Sequence, residues 1–310
     1  MPVLSKYYPY NEDEIKMLEN CIMCPRECGT DRLNNKVGYC KSDSSFRISA
    51  VCVHKGEEEI ISGSKGICNI FFPHCNLQCV YCQNVQISSN ESTTEKIQFD
   101  ALISEICSVL DKSENVVGFV SPSHYIPQML AIIRGLKERG KNPVYVYNSN
   151  CYDKPETLKM LENIIDVYLP DFKYSHSPLG ALYSDAEAYP QIALDALKEM
   201  YRQKGSAIFT DDNGIIESGL IVRHLILPGI AEYSIQTLKF IAEEISTGIN
   251  ISLMSQYFPI KTFEYNKNLN RTINKEEYVK VLEALENLGF YKGWTQELDS
   301  SRHYIPDFTL

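Results

Sequence analysis

Three cysteines, Cys75, Cys79 and Cys82, fall in the run FFPHCNLQCVYCQN (71–84) with C-x3-C-x2-C spacing. Thiolate sulfur suits Zn²⁺, Cu(I) and iron–sulfur clusters. Structural zinc normally takes four protein ligands and catalytic zinc keeps one position open. A cubane [4Fe–4S] cluster normally takes four cysteines, so three would leave one iron free for an exogenous group. A second group, Cys21, Cys24, Cys28 and Cys40, is spaced C-x2-C-x3-C-x11-C and has enough ligands to close a site. Structural zinc and an auxiliary iron–sulfur cluster both fit it, and paired zinc knuckles would show two C-x2-C elements where this chain has one. Cys52, Cys68, Cys107 and Cys151 are isolated and read as small buried hydrophobes.

The elements that must position these residues are visible as alternation. Apolar β-rich runs occur at 67–72, 115–120, 143–148, 164–170, 220–227 and 250–254, with amphipathic stretches between them. In FDALISEICSVLDK, Phe99, Leu102, Ile103, Ile106 and Leu110 recur at helical spacing. IPQMLAIIRGLKERG stops on Gly140, and PETLKMLEN starts on a proline suited to a first helical turn. Six strand–helix units predict an α/β fold with a parallel sheet, curled into a partial (β/α)6 TIM-like barrel. An open doubly wound sheet has the same periodicity. Polar side chains collect where the strands end: PHCNLQCVYCQN, SPSHY, NSNCY, PDFKY and SQYFP. In parallel α/β folds that is where active sites form. The expected organisation is a small Cys-rich module over 1–65, the partial barrel over 66–261 and a helical extension over 262–310.

The bulk composition excludes several classes. A net charge of −10 with scattered Lys and Arg argues against a nucleic-acid partner, which would need a basic footprint. No apolar run approaches the roughly 18 residues that cross a bilayer, so no membrane partner is expected. The first residues lack a basic flank followed by an apolar stretch, which predicts no signal peptide and a cytoplasmic protein. Eleven cysteines without an export signal read as metal sites rather than a disulfide framework.

Cys75-Asn-Leu-Gln-Cys79-Val-Tyr81-Cys82, with an aromatic before its last cysteine and a strand before its first, resembles the signature of the radical S-adenosylmethionine (radical SAM) superfamily. CNLQCVYCQN, YLPDFKY, LIVRHLILPG and LMSQY further resemble its glycyl-radical-enzyme-activating branch. In particular they resemble uncharacterised relatives of the pyruvate formate-lyase-activating enzyme. Those relatives carry an N-terminal Cys-x2-Cys-Pro-Arg-x-Cys module, matched here by CIMCPRECGTDR. The resemblance covers nearly the whole chain.

It implies an oxidoreductase with a [4Fe–4S] cluster on Cys75, Cys79 and Cys82 and S-adenosylmethionine on the open iron. A 5′-deoxyadenosyl radical would then take a hydrogen atom from a protein or peptide, a glycyl radical enzyme among the candidates. Flavodoxin or ferredoxin would be the reductant. Asp171 and Lys173 match an Asp-x-Lys pair that contacts S-adenosylmethionine, and strand alternation puts them on one face. The lysine can meet a carboxylate, and the aspartate a ribose hydroxyl or ammonium. Ser149 and Asn150 fall at a polar-contact position, and Tyr81 would border the adenine. Where many activating enzymes carry Gly-Gly-Glu this chain has SPSHYIPQ, leaving Ser121, Ser123 and His124 as acceptors. His124, Arg223 and Gln256 are the candidates for the substrate side. The alternatives are a radical SAM enzyme acting on another peptide or small molecule, and a non-catalytic iron–sulfur or zinc protein for electron transfer or redox sensing.

Overall fold

The structure is a computed structural model and describes residues 8–298 and residue 300. Helix α1 (Glu12–Glu19) is followed by β1 (Ala50–His54), α2 (Glu59–Ser62), β2 (Ile67–Phe71) and α3 (Val85–Ser88). Next come α4 (Phe99–Leu110), β3 (Val116–Val120), α5 (Ile126–Glu138), β4 (Val144–Ser149), α6 (Pro155–Met160) and β5 (Val167–Pro170). The chain continues through α7 (Ser177–Ser184), α8 (Tyr189–Lys204), β6 (Phe209–Thr210), β7 (Ile216–Leu225) and α9 (Ala231–Glu244). It closes with β8 (Asn250–Met254), α10 (Lys275–Asn287) and β9 (Gly293–Thr295). The end of the expected C-terminal extension, residues 301–310, lies outside the described residues.

The expected α/β fold with a mostly parallel sheet is present. The six expected strands are β2, β3, β4, β5, β7 and β8, joined in that order by parallel pairing. Three further strands were not evident in the sequence. β1 pairs antiparallel with β2 at one edge, β9 extends the parallel run at the other, and β6 forms a short antiparallel pair with β7. β6 and β9 are two and three residues long and largely exposed, and β1, though as long as β2 and apolar in AVCVH, is only partly buried at the sheet's edge.

Two cores sandwich the sheet. The outer one packs the helices: Phe99, Leu102, Ile103, Ile106 and Leu110 of α4 are all buried, each stabilising by about 1.5–3 kcal/mol before entropy. The inner one holds Ile67, Val116, Val146, Val167, Leu169 and Ile221, and Ile61 of α2 joins them. The β1–α2 segment, N-terminal to residue 65, therefore belongs to the sheet and its interior. Its Glu57 accepts from Asn69 Nδ2 at 2.8 Å. Gly118 makes room for that amide, since a Cβ there would stand 2.0 Å from Asn69 Oδ1.

Candidate active site at the strand ends

β2 runs into the cysteine loop, so Cys75, Cys79 and Cys82 emerge at the carboxyl end of the parallel sheet. Each sulfur meets a polar partner. Cys75 Sγ accepts from the Leu77 amide at 3.4 Å and from Asn150 Nδ2 at 3.3 Å. Cys79 Sγ lies 3.0 Å from Ser184 Oγ, and Cys82 Sγ 3.1 Å from Ser88 Oγ. Burial pushes the Cys75 thiol up to about 12 and Cys79 to about 11, with Lys173 pulling Cys79 down. Coordination to a metal would override both, because a metal-bound thiol is deprotonated outright. Among the described residues, no three His, Cys, Asp or Glu side chains are gathered as ligands of one metal ion. A cubane spreads its thiolates over different irons and makes no such demand. The soft donor set and the hydrogen bonds to its sulfurs therefore fit a cluster on these three cysteines.

Lys173 and Asp171 follow β5 and pair at 2.8 Å. Burial opposes the lysine's charge, yet Asp171 first and Cys79 next outweigh it and hold its pKa well above the ordinary value. Tyr189 fixes this turn: its hydroxyl accepts from the Lys173 amide at 3.0 Å and donates toward the carbonyls of Asp171 and Asn150. Lys173 thus brings a permanent cation beside Cys79.

The other expected residues are placed as follows. Asn150 supports the cysteine loop, with Nδ2 also 2.8 Å from Asn76 Oδ1 and Oδ1 accepting from the Tyr152 amide. Ser149 Oγ accepts from the Cys151 amide, and its carbonyl receives the Asp171 amide. Tyr81 is buried, its hydroxyl 2.5 Å from that of Tyr174, which reaches Ser184 at 3.0 Å. Gln256 links the cysteine loop to the end of β9, accepting from Gln83 on its carbonyl and from Gln296 on Oε1.

The SPSHY segment turns mostly inward. Ser121 has φ +53° and remains partly accessible, whereas Ser123 and His124 are buried in a 3-10 turn over Pro122–His124. His124 Nε2 is 2.9 Å from the Pro73 carbonyl, and burial lowers its pKa to about 3, which keeps it neutral. That contact ties the fully buried ring to the start of the cysteine loop. Arg223 is engaged too: Nε donates to Glu58 Oε1 at 2.8 Å, and Nη2 reaches both Glu57 and Glu58. It lies on the same inner face as Ile221, but its guanidinium is spent on the β1–α2 segment.

Among the four N-terminal cysteines, Cys21, Cys24 and Cys40 are buried and Cys28 is partly so. Burial raises Cys21 to about 11 and Cys24 to about 12. Their loop is docked on the cysteine loop after β2 by Arg26, which donates to the Asn76 carbonyl at 2.9 Å and stacks 3.7 Å over Tyr39. Ser88, Ser184, Tyr174, Tyr189 and Arg26 were not singled out in the sequence. Only Tyr174, inside PDFKY, and Arg26, between cysteines, had a local signal.

No protein-family model matches the chain. It is 29% identical over 284 residues to an uncharacterized protein of Methanocaldococcus jannaschii, covering 87% of this chain and 75% of that one. The chain shares its fold with HydG. HydG, a maturase of the [FeFe]-hydrogenase, superposes with a TM-score of 0.50 at 15% identity, over 71% of this chain and 48% of HydG. Streptococcus suis SuiB, solved bound to the precursor peptide SuiA, gives a TM-score of 0.49 at 11% identity, over 73% of this chain and 48% of SuiB. The chain spans about half the length of both solved structures. At 15% identity the likeness to HydG is one of fold.

Proposed function

We propose that this protein is a radical SAM enzyme whose reaction centre is the cysteine loop after β2. The observation that carries the reading is the set of three cysteines at the carboxyl end of a parallel sheet, with a hydrogen-bond partner on every sulfur and Lys173 facing Cys79. A [4Fe–4S] cluster and S-adenosylmethionine held there would supply the radical chemistry of hydrogen-atom abstraction from the substrate.

The chain's own residues supply placement. Asn150 and the Leu77 amide hold Cys75 by N–H···S bonds, which stabilise a thiolate that carries extra negative charge. The Lys173 ammonium is placed to meet a carboxylate, and Asp171 keeps it charged and aimed. Tyr183 packs edge-on against Tyr81 and tilted against Tyr174, and all three rings are buried. Ser121 is the SPSHY side chain left partly accessible to contribute an acceptor in place of Gly-Gly-Glu.

Within this reading the substrate is a protein or peptide, and the sequence resemblance makes a glycyl radical enzyme the first candidate. The deciding experiment reconstitutes the protein anaerobically and supplies S-adenosylmethionine with a low-potential reductant. Wild type is expected to release 5′-deoxyadenosine and Cys79→Ala none. A cluster-loaded wild type that yields no 5′-deoxyadenosine, and whose electron paramagnetic resonance (EPR) spectrum ignores S-adenosylmethionine, would sink the proposal. Appearance of a glycyl radical signal on a mixed partner would establish the finer reading.

A further inference from the structure

Arg32 is fully buried, and among the described residues no carboxylate lies within ion-pair distance of it. The acidic residues near it in sequence are engaged elsewhere: Asp31 accepts from Asn34, Glu27 pairs with Lys154, and Asp43 is taken by Arg47 at 3.5 Å and Lys96 at 3.6 Å. Nη1 of Arg32 donates to the His124 carbonyl at 2.6 Å, Nη2 to Cys40 Sγ at 3.3 Å, and Nε has no partner. The groups of potential opposite charge that face it are Cys40, Cys21, Cys24 and Cys28. A guanidinium cannot shed its proton, so its burial requires an anion alongside. Four neutral thiols do not provide one.

Four thiolates on a metal do. Zn²⁺ with four thiolates and a [4Fe–4S]²⁺ cluster with four thiolates share the same net charge of about −2. We propose that Cys21, Cys24, Cys28 and Cys40 ligate a metal centre of net negative charge, for which Arg32 is the buried counter-ion and an N–H donor to the Cys40 sulfur. Among the described residues no three His, Cys, Asp or Glu side chains are gathered as ligands of one metal ion, so zinc would require the loop to tighten. With four protein ligands the centre has no open position, so its role is to hold the loop or pass electrons rather than bind substrate. The loop has the means to transmit either effect. The Cys21 amide pairs with the Thr30 carbonyl, its carbonyl receives Gly29, and Arg26 and the Met23 carbonyl tie the same loop to Asn76 and Thr157. Asn76 is the residue next to Cys75.

The test does not depend on the reaction centre proposed above. A Cys75→Ala, Cys79→Ala, Cys82→Ala variant of the full chain, purified anaerobically, is assayed for iron, sulfide and zinc. The expected content is about four iron with matching sulfide, or about one zinc, per chain. Either metal upholds the proposal, and the assay tells which it is. Adding Cys24→Ser and Cys40→Ser should abolish that content. In the otherwise wild-type chain the same two substitutions should lower metal by the same amount, which covers the case of a triple variant that folds poorly. Arg32→Met should release the metal to a chelator at least tenfold faster, with Arg32→Lys intermediate. Stoichiometric absence of both metals from the triple variant and from the wild-type difference would overturn the inference. So would a chelator rate that Arg32→Met leaves unchanged.

Discussion

Replacing Arg223 by methionine should strand two buried carboxylates. Burial alone would raise the Glu57 carboxyl, but the Arg223 charge overrides it, helped by His54 and by hydrogen bonds from Arg223 and Asn69, and brings it down to about 2. An ordinary glutamate titrates near 4.3, so the gap is worth about 3 kcal/mol. Because the folded-state value is depressed, this stabilisation is fully present above about pH 4.3 and is lost as pH falls toward 2. Arg223→Met removes the partner of Glu57 and of Glu58, whose side chains are each only 6% exposed. Breaking a buried pair in this way costs about 3–5 kcal/mol near neutral pH. The variant should answer by protonating Glu57. Its deficit then shrinks on acidification, by up to about 1.4 kcal/mol per pH unit. Urea denaturation of wild type and variant at about pH 7 and about pH 5 measures this, and Glu57→Gln with Glu58→Gln in the variant should recover most of the loss. A deficit below about 1 kcal/mol, or one identical at the two pH values, would show that these carboxylates are not held in the barrel interior.

Three further outcomes are expected. Asn150→Leu removes an N–H donor from Cys75 Sγ, and such bonds favour the more negative, reduced cluster. A loss of about 1 kcal/mol corresponds to a midpoint potential about 40 mV lower, read by an EPR-monitored redox titration. Gly118→Ala drives a Cβ to 2.0 Å from Asn69 Oδ1 and should cost about 1–3 kcal/mol in thermal or urea unfolding, with Asn69→Ala restoring part of it. Lys173→Met deletes the cation beside Cys79 and should weaken S-adenosylmethionine binding at least tenfold, about 1.4 kcal/mol, in calorimetry on the reconstituted protein.

What the sequence disclosed and what it hid follow from how far apart the partners lie. The parallel strands were legible because burial on both faces demands the consecutive apolar residues of LIVRHLIL and its fellows. The cysteine loop was legible because all its sulfurs fall within eight residues. Asn150 and the SPSHY segment were located at the right strand ends, but which way each side chain turns depends on loop backbone that periodicity does not encode. Ser184 reaches Cys79 across 105 residues, and nothing in SPLGALYS marks it. Glu57 and Glu58 were hidden for another reason: composition counts charges without saying where they go, so GEEEI reads as solvated surface. The complementary signal lay in Arg223, an arginine within an apolar strand that is covered on both faces. Such a residue cannot lose its charge and cannot reach water, so the fold must bring an anion to it. That anion comes from the connection between β1 and α2, where the carboxylates of Glu57 and Glu58 meet the arginine across 166 and 165 residues.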